Sequence, residues 1–173
     1  ITLNISGDTT GTVGLFKNLY GGAQIMNLTI AGSIQSTKGN LGGIAGQASP
    51  GSADIIIRNC KNTADITGGA TNVGGILGYS SASTHGVVIE NCANTGTIKS
   101  TRQFGGIAGN LDGAGHRVIN CYNRGELAST QTSTSAVAGI CGRAVKAMEI
   151  SNCYTTGTLP KGAAALVGTG HSS

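Results

Sequence analysis

Gly42-Gly43-Ile44-Ala45-Gly46 returns as Gly74-Gly75-Ile76-Leu77-Gly78, as Gly105-Gly106-Ile107-Ala108-Gly109 and as Ala138-Gly139-Ile140-Cys141-Gly142. Val13-Gly14-Leu15 and Ala164-Ala165-Leu166 are weaker copies. The second residue of the unit therefore falls at 14, 43, 75, 106, 139 and 165, in steps of 29, 32, 31, 33 and 26. A fixed period of about 20–50 residues decides an architecture before any local assignment, because each unit must bury its apolar face on the next. Two more markers run in phase. Asn59-Cys60, Asn91-Cys92, Asn120-Cys121 and Asn152-Cys153 form one, with Asn27-Leu28 as its early variant. Asp65-Ile66, Thr97-Ile98, Glu126-Leu127 and Thr158-Leu159 form the other, with Ser33-Ile34 first. Each unit thus carries three short apolar segments.

Those segments read as strands. Ile55-Ile56-Ile57-Arg58, Val87-Val88-Ile89-Glu90 and Gly96-Thr97-Ile98-Lys99 are rich in β-branched residues and bounded by Gly, Asn and Ser. No window holds apolar residues at helical spacing for the ~10 residues a helix needs. Three short strands joined by glycine-rich turns make one rung, and rungs stack at the ~4.8 Å separation of neighbouring strands. The expected fold is all-β, a parallel β-solenoid (right-handed β-helix) of about five rungs of ~31 residues. A β-propeller or β-prism of three-strand units is the second reading. The 33-residue ankyrin period is excluded by the absence of helical patterning.

Composition agrees. Glycine supplies 30 of 173 residues and only 10% are charged, with a net charge of +4. Disorder needs high charge and few apolar residues, whereas 39% here are hydrophobic. Glycine follows no every-third rule, which removes collagen, and no apolar run approaches the ~18 residues of a membrane span, so the segment reads as soluble. The chain begins at Ile1 without a targeting pattern, and the expectation is a single repeat domain, 1–173, cut from a larger multidomain protein.

Stacking turns each repeat position into a column. Ile25, Ile57, Ile89, Val118 and Ile150 form one apolar column. Ile34, Ile66, Ile98, Leu127 and Leu159 form a second, and Leu15, Ile44, Ile76, Ile107, Ile140 and Leu166 a third. Leu28, Cys60, Cys92, Cys121 and Cys153 form a fourth, whose leucine identifies an apolar setting. The cysteines are expected to be buried free thiols. Zinc ligands sit two to five residues apart rather than a rung apart, and side chains stacked in parallel register point the same way instead of at each other. Asn59, Asn91, Asn120 and Asn152 are expected at a left-handed corner, and Asn62, Asn94 and Asn123 at a second turn of the same kind. The sequons Asn4-Ile5-Ser6 and Asn27-Leu28-Thr29 carry little weight in so Asn- and Ser-rich a chain.

The Gly-Gly-Ile-x-Gly unit together with Ile-x-Asn-Cys-x-Asn-x-Gly-x-Ile resembles the GLUG-motif repeats of bacterial surface and secreted proteins, over nearly the whole chain. Proteins of that kind include adhesin-like surface proteins and the non-catalytic regions of immunoglobulin A proteases. The resemblance implies a large, extracellular, multidomain parent and supplies no catalytic residues. Val13 and Ala164 depart from it by replacing the first glycine.

The ionisable residues point the same way. Asp8, Asp54 and Asp112 are expected in loops, while Asp65 and Glu126 share a column two rungs apart, so no acid/base pair for glycosidic cleavage is assembled. Arg58 and Glu90 should pair on the surface. His85, His116 and His171 read as solvated loop residues, and the inward cysteines offer no exposed nucleophile for them. The Gly39–Gly46 stretch lacks the helix a phosphate cradle requires. The cations form no stripe, which argues against nucleic acid. One outward column, Thr29, Lys61, Ala93, Tyr122 and Tyr154 flanked by Arg124, offers stacked aromatic rings, and Tyr122, Tyr154, Arg124 and Lys61 are the candidate binding surface. No catalytic, cofactor or metal residues are assigned. The expectation is a non-catalytic stalk or adhesin module outside the cell, meeting a host glycan, a host protein or its own neighbouring domains. The alternatives are an accessory region of a secreted protease and a carbohydrate-processing β-helix. An ice-binding array is disfavoured because Ser33, Asp65, Thr97, Glu126 and Thr158 mix charges into the threonine column.

Overall fold

The computed structural model describes residues 1–6, 11–69, 71–129 and 136–169; Asp8 and His171 lie outside these. The described residues form strands and turns without a helix, and the strands pair in parallel one period apart. Leu41 sits beside Val73, Val73 beside Phe104, and Phe104 beside Val137. The chain is a β-solenoid of about 4 turns with about 32 residues per turn. Parallel rung-on-rung pairing excludes the propeller and prism readings.

Each complete turn has five short strands where three were expected. In one turn they are Asn40–Gly42, Ala45–Ser49, Ile55–Arg58, Lys61–Asn62 and Asp65–Gly68. The physical reason lies in the motifs themselves. The Gly-Gly-Ile unit bends at Gly43 and Ile44 and so contributes two strands. The Ile-x-Asn-Cys element is broken by its asparagine, which has positive φ at every rung: 61° at Asn27, 54° at Asn59, 53° at Asn91 and Asn120, and 52° at Asn152. Asparagine enters this left-handed region at lower cost than other residues with a side chain. The corner is knitted between rungs, since Asn59 Nδ2 donates to Asn27 Oδ1 at 3.1 Å, Asn91 to Asn59 at 3.2 Å and Asn120 to Asn91 at 3.1 Å.

The expected columns are inside. Ile57, Ile89 and Val118 stack in register and are fully buried, as are Ile34, Ile66 and Ile98, and Ile44, Ile76, Ile107 and Ile140. Each such side chain contributes about 1.5–3 kcal/mol relative to exposure. Cys60, Cys92 and Cys121 are buried and unbridged, and each thiol lies near the carbonyl oxygen two residues back, 3.3 Å for Cys60 and 3.2 Å for the other two. Hydrogen bonds with Cys121 and Cys60, then burial, push the Cys92 thiol upward; burial pushes Cys141 up to about 12. At the two ends the same columns are only partly covered, at Ile25 and Leu28 on one side and Ile150, Cys153 and Leu159 on the other, and Leu166 is 40% exposed.

A further apolar column, Leu41, Val73, Phe104 and Val137, packs with the Ile34 column as a second core cluster apart from the first. Asn62, Asn94 and Asn123 run along the boundary. Asn62 lies in the chain between Cys60 of one cluster and Ile66 of the other, and it faces Gly43, which lies between Leu41 and Ile44. These asparagines were expected at a second left-handed turn. Instead they are fully buried, in strands, and outside the positive-φ residues. Asn62 Nδ2 donates to Asn94 Oδ1 and Asn94 Nδ2 to Asn123 Oδ1, both at 2.8 Å, and each amide also reaches a carbonyl two residues on. The bonds satisfy amides that burial would otherwise penalise. They also explain the second glycine of the recurring unit: a Cβ at Gly75 would meet the Gly106 carbonyl and the Asn94 amide.

Candidate functional site

The fourth side of the solenoid carries the predicted outward column in register: Thr29 beside Lys61, Lys61 beside Ala93, Ala93 beside Tyr122, and Tyr122 beside Tyr154. The left-handed asparagine just before each strand turns the chain so that the residue after Cys faces out and Cys faces in. Tyr122 and Tyr154 stack with centroids 5.3 Å apart and planes 10° from parallel. Arg124 lies with its guanidinium carbon 5.1 Å from the Tyr122 centroid and donates through Nη2 to the Tyr154 hydroxyl at 3.4 Å. Three of the four predicted residues therefore form one unit. Lys61 stands two rungs away, separated from the tyrosines by Ala93, which is 5% exposed. The rings face each other along the stacking direction and Arg124 attends Tyr122. Tyr154 is the more exposed of the pair, at 43%. The column is a stacked aromatic pair with a guanidinium beside it rather than a continuous ridge.

The third side holds a constellation that sequence reasoning scattered. Asp54, His85, Arg117 and Glu149 come from successive rungs and line one open groove of about 410 Å³, with Thr84, Gly115, His116, Ala147 and Met148 completing its walls. Asp54 Oδ1 accepts the Gly86 N–H at 2.9 Å, while His85 Nδ1 stands 3.5 Å from Oδ1 and Arg117 Nη2 3.6 Å from Oδ2. Arg117 is directly beside Glu149 in the next rung, and Glu149 Oε1 accepts from Ser151 Oγ at 3.0 Å. Asp54 looked isolated because the positions above it are glycines, and an empty column is where a long side chain from a farther rung can reach across. Periodicity holds that signal only when the gaps in a column are read as well as the side chains.

Other ionisable groups serve the scaffold. Arg58 and Glu90 pair at 2.8 Å, as expected. Asp65 Oδ1 accepts the Thr97 N–H at 2.9 Å, tying one rung to the next. Asp112 lies within the strand Ala108–Gly113 rather than in a loop. His116 was expected in solvent and is 1% exposed. Its Nδ1 accepts the Val87 N–H at 3.1 Å and its Nε2 lies 3.2 Å from the Asp112 carbonyl oxygen, an arrangement for the neutral ring that donates from Nε2. Burial lowers its pKa, against smaller raising effects of Asp112. The ring fills the core side of the groove wall and holds two rungs in register. Among the described residues no group of three or more His, Cys, Asp or Glu side chains is placed to hold a metal ion, and no helix is long and apolar enough to cross a membrane.

No protein-family model, characterised protein or solved structure matches the chain.

Proposed function

We propose that the chain is a non-catalytic structural and binding module, a stalk or adhesin repeat of a bacterial surface or secreted protein. The observation that carries the binding half of this reading is the aromatic unit at the last described rung. Tyr154 is 43% exposed, Tyr122 stacks on it, and Arg124 bonds the Tyr154 hydroxyl while setting a cation over the Tyr122 ring. Such a surface meets the apolar face of a sugar or the rim of a partner protein. The structural half rests on the regular rungs, the sparse charge and the resemblance to GLUG-motif repeats. Those features suit an extended scaffold whose interactions are nearest-neighbour.

The test is binding of the intact chain to an immobilised mucin-type glycoprotein and to the same protein after deglycosylation, comparing the natural sequence with Tyr122→Ala/Tyr154→Ala. The expected result is binding that weakens at least tenfold in the double variant. Unchanged binding would remove the aromatic unit from the reading. Release of new reducing ends from added polysaccharide would replace the non-catalytic assignment with a carbohydrate-processing one.

A further inference from the structure

We propose that the groove lined by Asp54, His85, Arg117 and Glu149 is a binding site for a neutral, hydroxyl-rich ligand, a saccharide. This extends the reading of the chain as a binding module to a second surface, on different residues and a different side of the solenoid. The Asp54 carboxylate is oriented by the Gly86 N–H at 2.9 Å, and Glu149 by the Ser151 hydroxyl at 3.0 Å, so both acceptors are held by the scaffold. Their cationic and imidazole neighbours are not closed onto them. Arg117 stands 3.6 Å from Asp54 and His85 3.5 Å, beyond the 2.7–3.2 Å of a formed N–H···O bond. A ligand group seated against the open side of this loose pair meets a carboxylate acceptor and a guanidinium donor at once. A hydroxyl donates to the first and accepts from the second, and charge assistance strengthens each bond.

The mixture of signs narrows the ligand further. An anion would meet two carboxylates, and a cation would meet Arg117. An apolar ligand would strip water from all four groups without replacing its bonds. Ala147 and Met148 supply the small apolar patch that the C–H face of a sugar ring covers. The volume, about 410 Å³, is within the ~300–1,000 Å³ of ordinary small-molecule sites. The site also depends on absent side chains. Gly86 lies one rung above Asp54, and a Cβ there would meet the backbone of Gly115, so this part of the column is kept empty.

The test uses maltotriose, cellotriose and tri-N-acetylchitotriose as probes, by saturation-transfer NMR and calorimetric titration on the intact chain, with Asp54→Asn, Glu149→Gln and Tyr122→Ala/Tyr154→Ala. Asn at 54 retains an oxygen for the Gly86 N–H, and circular dichroism confirms that each variant is folded. The expected result is saturable binding of at least one trisaccharide, weakened at least tenfold by either carboxamide variant and unchanged by the tyrosine pair. Three results overturn the proposal: no saturation transfer from any probe at ~10 mM, binding that survives the two carboxamides together, or binding of spermine in place of the sugars. Loss of sugar binding only in the tyrosine variant would instead support the aromatic unit and remove the groove.

Discussion

Asn91 and Asn94 stand three residues apart, belong to equally regular ladders, and should respond oppositely to the same pair of substitutions. Asn94 is fully buried; its Nδ2 donates to Asn123 Oδ1 at 2.8 Å and to the Gly96 carbonyl at 2.9 Å, and its Oδ1 accepts from Asn62 at 2.8 Å. Asn94→Ala leaves three buried polar partners each short of one bond. An unsatisfied buried group costs about 1–3 kcal/mol, and partial relaxation brings the expected total to about 3–5 kcal/mol. Asn94→Gly should be worse by about 0.5–1 kcal/mol, because glycine adds backbone entropy within a strand. Asn91 is exposed, has φ 53°, and its ladder bonds are 3.1–3.2 Å long, where water can replace them. Asn91→Ala should cost about 1–2 kcal/mol for placing a Cβ in the left-handed region, and Asn91→Gly should be within about 0.5 kcal/mol of the natural sequence. Urea unfolding followed by far-ultraviolet circular dichroism and tyrosine fluorescence measures all four; the chain has no Trp and four Tyr. The reasoning is refuted if glycine fails to outrank alanine at 91, or if Asn94→Ala costs less than about 1 kcal/mol.

Two further predictions follow from buried titratable groups. The folded pKa of His116 is lowered by burial, so the folded state binds fewer protons than the unfolded one near and below the unfolded value of about 6.5. Its contribution to stability is therefore complete above that value and declines as pH falls toward the folded pKa, by at most about 1.4 kcal/mol per pH unit. His116→Asn keeps an acceptor for the Val87 N–H without titrating, and urea midpoints from pH 7.5 to 5 should lose this slope; an unchanged slope counts against the buried neutral ring. Thiol labelling of the native protein by iodoacetamide, read by mass spectrometry, should modify Cys153 first, since it alone among the five cysteines is only partly buried. Cys141, fully buried, should be among the slowest. Equal labelling of Cys92 and Cys153 would contradict the inward column.

Several features were open to reading before any coordinates because they repeat. Ile57, Ile89 and Val118 could be placed inside by their spacing alone, and Asn59 and Asn91 could be placed at a left-handed corner because few residues tolerate one. The strand count was not open in the same way. Gly43-Ile44 and Asn59 bend the chain inside segments that look continuous, and five strands replace three. His116 looked like a loop residue beside Gly115, and only its bond to Val87 in the neighbouring rung, with a local one to the Asp112 carbonyl, reveals a buried one. Leu41, Val73, Phe104 and Val137 vary too much in size and neighbours to announce themselves as a column, although each follows the pattern of its Gly-Gly-Ile unit.

The candidate sites divide along the same line. Tyr122 and Tyr154 share one repeat position, so periodicity alone brought them together; their packing then decided that Arg124 joins them in one unit while Lys61 stays apart. Asp54, His85 and the Arg117–Glu149 column occupy different repeat positions, and a one-dimensional pattern has no term for a side chain that crosses an empty glycine column to a rung beyond. Repetition specifies what lies one period away, because the rung spacing is set by backbone hydrogen bonds that every residue makes. What a long side chain reaches diagonally depends on the turns between strands and on which positions lack a Cβ, and those were decided only when the chain closed into rungs.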